Sequence, residues 1–405
     1  MPLPLAVRVL NRAGALAQRV GLPLGSLAPE DVVAAARKQT GLDDVGSPGF
    51  YEGLEVLCRS LDEEAGLSVL GRLGQRQQVV QVVANRLEMH DAVARNPEIL
   101  DEEIAPPIFV AGPPRTGTTL LSHLLQMDPG LRTLRHWEAS KPCPPPVLVE
   151  EERDPRLAEA AKTLDRLYSM IPEFRAIHPM EPAGPTECVL LLALELRSIH
   201  FETGALIPSY GQWLAQADLL PAYETHKRAL QLLQWRVPAE RWQLKSPAHL
   251  MALDALTATY PGARMVWTHR DPVTVVASVA SLNTVLHSVS AEHVDPVAVG
   301  REWAPKLAML LDRGCDFRDR VGDDAFHDLD YRDLVNDPIG TIKRLYDWLD
   351  RPLTPLAEAR MRAGMDANPQ DRYGRHTYRL EDHGLDPDEE RERFSRYSTR
   401  FGDLL

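Results

Sequence analysis

Short apolar runs alternate with amphipathic stretches over much of the chain after residue 105. The runs at residues 108–111, 242–244, 263–268 and 325–331 have the length of strands, and the first is apolar throughout, as in a strand buried on both faces. A helical pattern follows each run. Because strands that alternate with helices form right-handed βαβ units, this order predicts an α/β fold with a parallel sheet flanked by helices.

Two other parts of the chain carry a helical pattern without strands. Residues 1–105 combine helix-forming residues with apolar positions three and four apart, and residues 150–235 are also mainly helical. We expect the first part to be a helical layer packed on the core, with a substrate or dimer surface as the alternative. The second is an insertion suited to a substrate lid. The predicted organisation is a helical region at 1–105 and an α/β domain at 106–405 that contains the insertion.

Capping residues mark where helices begin after two of the predicted strands. Ser246 and Asp271 are each followed by proline, the pairing expected of an N-cap and the first helical residue. Ser246 is therefore interpreted as a helix cap rather than a catalytic residue. The proline run at 142–146 excludes helix and central strand and predicts a stiff surface connection.

The composition excludes several classes of binding partner and location. The net charge of −13 over 405 residues argues against general nucleic-acid binding, which requires a basic surface. The longest apolar runs fall short of the roughly 18 residues of a membrane span, and the first residues lack the features of a secretory signal. Four cysteines are scattered without metal-ligand spacing, which indicates reduced thiols in a cytoplasmic protein.

A glycine loop joins the first predicted strand to its helix. The segment 112–119 reads Gly-Pro-Pro-Arg-Thr-Gly-Thr-Thr. A strand–loop–helix of this kind points backbone N–H groups and the positive end of the helix at one place, which favours a phosphate. The nucleoside-triphosphate loop has the same glycine spacing but carries Lys directly after the second glycine. Here that position is Thr118, and the nearest cation is Arg115.

Cationic residues also follow two later strands. Arg270 follows the strand at 263–268, and Ser278 lies eight positions on in the next helix. Because ligands of parallel sheets bind beyond the carboxyl ends of the strands, we expect Arg115, Lys245 and Arg270 to converge on one cleft. The structural alternatives are a salt bridge from Arg270 to Asp271 and a surface charge for Lys245.

The loop resembles the 5′-phosphosulfate loop of sulfotransferases that use 3′-phosphoadenylyl sulfate (PAPS). Its pattern Pro-Arg-Thr-Gly-Thr-Thr is similar to that of a bacterial group and of the tyrosylprotein sulfotransferases, and the resemblance extends over roughly residues 106–380. It implies a P-loop-type α/β core, PAPS as donor with 3′,5′-bisphosphoadenosine as product, no metal, and transfer of a sulfuryl group to a hydroxyl or amine.

The resemblance also implies roles for individual residues. The phosphosulfate loop comprises Gly112, Pro114, Arg115, Thr116, Gly117, Thr118 and Thr119. Arg270 and Ser278 match the ligands of the 3′-phosphate, and Lys245 matches a lysine that contacts the sulfate and the bridging oxygen. Tyr331 matches a tyrosine near the adenine, and Arg375 belongs to a late basic segment that closes over the 3′-phosphate. For Tyr331 and Arg375, core packing or a solvated face is an equal alternative.

The general base is the least determined part of the predicted site. In the tyrosylprotein enzymes a glutamate lies just over twenty residues after the loop cation, and Glu138 follows Arg115 by 23. His136 is the competitor, since other sulfotransferases use histidine, and His178, Glu181 and His249 are further candidates. The structural alternative for Glu138 is a salt bridge to Arg135 or Lys141.

These features predict a PAPS-dependent sulfotransferase that acts on a small-molecule, lipid or glycan acceptor. One alternative is a P-loop nucleotide kinase or ATPase, which requires Lys at position 118 and a metal-binding Asp at a strand end. Another is a catalytically inactive nucleotide-binding protein, favoured if Lys245 and Glu138 both point away from the loop. The residues decide neither the acceptor nor the oligomeric state.

Overall fold

A five-stranded, fully parallel sheet organises the computed structural model, which describes residues 25–148, 153–367 and 378–405. The spatial order is β2-β3-β1-β4-β5, with β1 in the centre. In register, Phe109 of β1 lies opposite Leu244 of β3 and Met265 of β4. The strands are β1 Ile108–Ala111, β2 Leu131–Thr133, β3 Arg241–Lys245, β4 Arg264–His269 and β5 Phe326–Asp330.

Helices cover both faces of this sheet. Alternate residues of β1 enter two different cores: Ile108 and Val110 face the smaller one, and Phe109 and Ala111 face the larger one. The helices of the described residues are α1 Pro29–Thr40, α2 Gly49–Glu63, α3 Val69–Arg95, α4 Thr118–Gln126, α5 His136–Ser140, α6 Pro155–Met170, α7 Phe174–Ile177, α8 Val189–Leu192, α9 His200–Gly204, α10 Pro208–Gln216, α11 Leu220–Gln234, α12 Leu253–Thr259, α13 Pro272–Ser290, α14 Pro296–Val321, α15 Tyr331–Asn336, α16 Pro338–Trp348, α17 Pro355–Ala367, α18 Pro387–Arg393 and α19 Ser395–Phe401.

The four predicted strands are present, and β2 is an addition. β2 has only three residues, too few for a pattern of period two to be recognised, and it pairs with β3 at the sheet edge. The predicted caps also form: the Ser246 side chain accepts a hydrogen bond from the Ala248 N–H, and Asp271 accepts from the N–H groups of Val273 and Thr274.

The N-terminal helices share the larger core with the insertion. Leu57 of α2, Val79 of α3 and Leu230 of α11 all belong to that core. A buried ion pair between Arg86 and Glu195 ties α3 to the insertion, and the Thr225 hydroxyl donates to the same carboxylate at 2.8 Å. The first helices therefore support the segment that covers the sheet, while the proposed boundary at residue 105 stays a prediction.

Helix α13 is longer and more deeply packed than its sequence pattern indicates. The pattern predicts a helix over 273–282, whereas α13 extends to Ser290 because it is apolar on most sides and packs against α3 and α14. It is the one helix within the described ranges that is long and apolar enough to span a membrane. Half of its apolar stretch is buried inside the protein. Core helices of soluble proteins are equally long and apolar, so α13 is weak evidence of a membrane span.

The proline-rich segment after α5 is partly buried, which corrects the predicted surface connection. Pro142, Cys143 and Pro146 are buried. The Arg156 guanidinium donates to the backbone carbonyls of Lys141, Pro142 and Pro144 and holds the segment against α6. Cys143 is one of the four cysteines, all of which lie in the described part of the chain, buried and unpaired.

Candidate active site

The glycine loop is held against β4 by its first residues. Gly112 has φ +136°, and a Cβ atom at this position would lie 2.5 Å from Thr268 Oγ1. The buried Thr116 hydroxyl donates to the Pro113 carbonyl at 2.7 Å and contacts the Thr268 hydroxyl. Gly112 and Thr116 therefore shape the loop rather than line the cavity beside it.

The later loop residues face that cavity. Helix α4 begins at Thr118, directly after Gly117, whose φ of +86° allows the sharp entry into the helix. Pro114, Gly117, Thr118 and Thr119 all line the cavity. The loop thus presents the N-terminal end of α4 to an open space, the arrangement that suits an anion.

Arg115 connects the loop with two other elements. Its backbone is left-handed, with φ 71°. The side-chain Nε donates to Ser278 Oγ of α13 at 3.2 Å, and NH1 donates to the Ile177 carbonyl at 2.7 Å. Burial lowers the pKa of Arg115. The predicted cation and the predicted serine therefore meet directly, across 163 residues of sequence.

Arg270 reaches the same loop from the end of β4. Its NH1 donates to the Arg115 carbonyl at 2.9 Å, and its guanidinium lies 4.5 Å from the centroid of the Tyr331 ring. Asp271 caps α13 instead of pairing with Arg270. The structure thus brings Arg270, Tyr331 and the loop together along the cavity wall.

Lys245 occupies the end of β3 on the other side of the loop. It is 3% exposed, so the alternative of a surface charge is wrong. Its Nζ donates to Thr119 Oγ1 at 3.1 Å and lies 3.6 Å from Glu187 Oε1. Arg115 and Arg270 thus line the cavity, whereas Lys245 lines a small recess that shares Thr119 with it. Arg375 lies outside the described residues.

The cavity beside the loop has a volume of about 990 Å³ and two unlike sides. One side carries the loop with Arg115, Arg270 and Tyr331. The opposite side is mainly apolar and comes from the insertion and α13, through Leu164, Leu167, Met170, Phe174, Leu282 and Leu286. Gly74 and Gln78 of α3 complete the wall, and Gln78 Nε2 lies 2.7 Å from His200 Nε2.

Glu138 does not face this cavity, which corrects its assignment as the base. Its side chain is fully buried, and its oxygens accept from Arg132 NH2 at 2.7 Å and from Arg135 NH2 at 2.7 Å and Nε at 3.0 Å. Burial alone raises the pKa of Glu138, but Arg132 and Arg135 outweigh it and the net shift is downward. The geometry matches the structural alternative, a salt bridge to Arg135.

The other base candidates divide between cavity and core. His136, His178 and Glu181 line the cavity, whereas His249 is buried away from it and bonded to the Tyr223 hydroxyl at 2.8 Å. Burial lowers the pKa of His136. Burial, together with Lys245 and Arg115, lowers the pKa of His178 to about 3. Both imidazoles are therefore neutral near pH 7.

A carboxylate that the sequence pattern did not single out lies next to Lys245. Glu187 shares a small recess of the cavity with Thr119, His136, Thr186 and Lys245. In the sequence it stands at the start of an apolar segment and is typical of a helix N-terminus. The only feature of the sequence nearby that could have pointed to Glu187 as a site residue is its position directly after Thr186. The Thr186 hydroxyl lies 3.5 Å from His136 Nδ1.

Comparison with known proteins assigns the family. Residues 106–355 match the model of the sulfotransferase family. The chain belongs to this family. The solved structure of sulfotransferase STF9 from Mycobacterium avium is 31% identical, with a TM-score of 0.85 over 92% of this chain and 96% of that one. Sulfotransferase STF1 from Mycobacterium tuberculosis H37Rv is 34% identical, with a TM-score of 0.83 over 92% and 100%.

A curated relative is more distant. The omega-hydroxy-beta-dihydromenaquinone-9 sulfotransferase Stf3 of Mycobacterium bovis is 28% identical over 257 residues, which are 60% of this chain. The match spans 62% of the length of that relative. The solved structures confirm the predicted P-loop-type α/β fold of the family, and the relation to the tyrosylprotein enzymes stays a prediction.

Proposed function

We propose that this protein transfers the sulfuryl group of PAPS to a hydroxyl group of an apolar, lipid-like acceptor. The observation that carries the proposal is the junction of two unlike surfaces in one cavity. The glycine loop, Arg115 and Arg270 lie at one side, with Lys245 in the adjoining recess, and apolar side chains form most of the other side. Such a cavity suits a polyanionic donor and an apolar acceptor that meet at their reactive ends.

The residues present fit PAPS. The cavity volume of about 990 Å³ is at the upper end of the roughly 300–1,000 Å³ of ligand pockets. Thr118, Thr119 and the N-terminus of α4 would hold the phosphosulfate, and Arg270 with Ser278 would hold the 3′-phosphate. Arg115 lies between these two groups, and Tyr331 would contact the adenine. The bound donor supplies the activated sulfuryl group.

Lys245 has the position required of the cation that stabilises the leaving oxygen. Its ammonium group is buried and bonded to Thr119, so it is held at the loop before any substrate binds. A charge that is already oriented costs no reorganisation when negative charge develops on the phosphate oxygen. Lys245 and the loop would therefore stabilise the transition state, as positioned cations do in phosphoryl transfer.

The apolar wall supports a lipid-like acceptor over a glycan. A glycan needs many hydrogen-bonding side chains, whereas the insertion and α13 offer mainly leucine, methionine and phenylalanine. The name of the curated relative describes a menaquinone derivative as its acceptor, which agrees with this choice. The four buried, unpaired thiols support the cytoplasmic location that forms part of the proposal.

A catalytically inactive nucleotide-binding protein is the second candidate. This function predicts that both Lys245 and Glu138 are turned away from the loop. Glu138 is turned away, but Lys245 is bonded to the loop, so the active enzyme is favoured. A kinase is not supported, because Thr118 stands where its loop needs lysine.

Calorimetry and a transfer assay test the proposal together. We expect 3′,5′-bisphosphoadenosine to bind much more tightly than 5′-AMP or ATP, because each charge-assisted bond to the 3′-phosphate contributes roughly 1.5–3 kcal/mol. The transfer assay follows sulfation of a long-chain alcohol with PAPS. Equal affinities, or a magnesium-dependent preference for ATP, would contradict PAPS as the donor. Tight binding without transfer to any acceptor would favour the inactive binding protein.

A further inference from the structure

Within the described residues, two carboxylates line the cavity, Glu181 and Glu187. Only Glu187 forms an ion pair with a cation of the candidate site, at 3.6 Å from Lys245 Nζ. Its side chain is 26% exposed, so one face remains open to the cavity. The proton acceptor of sulfuryl transfer must lie where the acceptor oxygen meets the sulfur, and Lys245 and Thr119 mark that place.

The backbone fixes Glu187 from both sides. The Thr186 N–H donates to the Leu134 carbonyl at 2.9 Å, and the Cys188 N–H donates to the Lys245 carbonyl at 2.9 Å. Glu187 is therefore anchored to the end of β3 and to the segment that follows β2. A carboxylate held this way meets the requirement that a general base be positioned before the reaction.

We propose that Glu187 is the general base that takes the proton from the acceptor hydroxyl. The inference rests on the proposed sulfuryl transfer. As the acceptor oxygen gives its proton to the Glu187 carboxylate, it uses the released electron pair to form the new bond to sulfur. The bond between sulfur and the 5′-phosphate oxygen breaks, and its electron pair stays on that oxygen beside Lys245.

The other groups around the recess are less suited to this role. The carboxylate of Glu138 is enclosed by Arg132 and Arg135. His178 is a weak proton acceptor because burial and the neighbouring cations lower its pKa to about 3. His136 lines the recess and faces Thr186, which makes it the competitor. In the part of the chain that the structure describes, the titratable groups that share the recess with Glu187 are His136, His178, Glu181 and Lys245.

The test compares Glu187→Gln with Glu159→Gln, the matched change at an exposed carboxylate of α6 that lies outside the cavity. We expect Glu187→Gln to lower turnover by about 10²–10⁴-fold with unactivated alcohols, the usual contribution of a general base. The loss should be much smaller with nitrophenols, which release their proton readily. The calorimetric affinity for 3′,5′-bisphosphoadenosine should not weaken, because Glu187 lies on the acceptor side. Glu159→Gln should keep its turnover with both acceptor types.

Three outcomes would overturn the inference. Unchanged turnover in Glu187→Gln excludes the role outright. An equal loss with all acceptors, together with weaker bisphosphoadenosine binding, means that Glu187 only positions Lys245. A selective loss with alcohols in His136→Asn, but not in Glu187→Gln, assigns the proton to His136. A wild-type protein that binds bisphosphoadenosine but sulfates neither alcohols nor nitrophenols would instead contradict the proposed function.

Discussion

The two sides of the cavity are built in different ways. The donor side consists of residues at or just beyond the carboxyl ends of parallel strands: the loop after β1, Lys245 at the end of β3 and Arg270 after β4. The acceptor side combines α3, α6 and α13 with the segment 174–190, which come together only through packing. Strand order alone collects the donor residues, whereas the acceptor wall depends on how a helical layer folds over the sheet.

The two sides therefore have different roles: the donor side serves the chemistry, and the acceptor side selects the acceptor. The donor side is held by short polar contacts such as Lys245 to Thr119 and Arg270 to the Arg115 carbonyl. The acceptor side is held by apolar contacts, which have no preferred direction. We therefore expect substitutions on the donor side to affect donor binding and turnover, and those of apolar residues on the acceptor side to affect stability or acceptor affinity.

Glu138 gives the largest expected effect, and it is an effect on stability. Glu138→Gln removes the buried negative charge between Arg132 and Arg135, and loss of one partner of a buried pair costs about 3–5 kcal/mol. Urea unfolding measures the change in the free energy of unfolding. Glu159→Gln, at the exposed pair with Lys141, is the control and should cost less than about 1 kcal/mol. A fully stable Glu138→Gln with lost turnover would restore Glu138 as the base.

The lowered pKa of Glu138 also predicts that the stability of the protein depends on pH. The folded pKa of Glu138 lies below its ordinary value. Its stabilisation is therefore complete above the unfolded pKa of about 4.3 and is lost as the pH falls through the folded pKa. Unfolding measured on acidification should show a shallower loss of stability in Glu138→Gln than in the wild type. Parallel curves would show that this ion pair does not stabilise the fold.

Among the residues of the donor side, Lys245 gives the largest expected effect on chemistry. Lys245→Met keeps the apolar stem and removes the charge, and we expect turnover to fall by about 10²–10³-fold, as when one oriented donor is removed from a transition-state site. The exposed Lys141 offers a matched control, since Lys141→Met lies outside the cavity and should retain turnover. Normal turnover of Lys245→Met in the transfer assay would remove the lysine from the mechanism.

Arg270 tests the donor side through binding alone. Arg270→Gln should weaken 3′,5′-bisphosphoadenosine by roughly 10–100-fold, because a bond to a charged group contributes about 1.5–3 kcal/mol. The affinity for 5′-AMP, which has no 3′-phosphate, should change little. Arg264→Gln at the opposite end of β4 is the control. Equal weakening of both nucleotides by Arg270→Gln would mean that Arg270 supports the loop instead of the 3′-phosphate.

Gln78 gives the smallest expected effect and tests whether the N-terminal helices belong to the acceptor side. Gln78→Ala removes the contact with His200, and we expect the acceptor KM to rise by about 2–10-fold, the equivalent of one neutral hydrogen bond. Bisphosphoadenosine affinity should be unchanged. The exposed neighbour Gln77 supplies the control Gln77→Ala. A change in nucleotide affinity without a change in acceptor KM would break the division between the two sides.

Most of the donor side could be predicted because its residues stand at short, regular distances from strands. An apolar run, a glycine pair and a following helical pattern are enough to locate Thr118, and the caps at Ser246 and Asp271 locate the next two helix starts. The prediction for Glu138 failed because two arginines that are closer to it in the sequence bind its carboxylate. Arg132 and Arg135 stand six and three residues before Glu138 and enclose it, so spacing from Arg115 was a poor guide to its surroundings.

The sequence by itself determined four of the five strands, the loop and the cations around it, because the period of a strand and the parallel βαβ rule are local constraints. Only the tertiary structure decided which carboxylate faces the cavity. Glu187 meets Lys245 across 58 residues of sequence, and Gln78 meets His200 across 122. Burial and pairing of a side chain depend on every element packed around it, and those long-range contacts have no periodic signature in the chain.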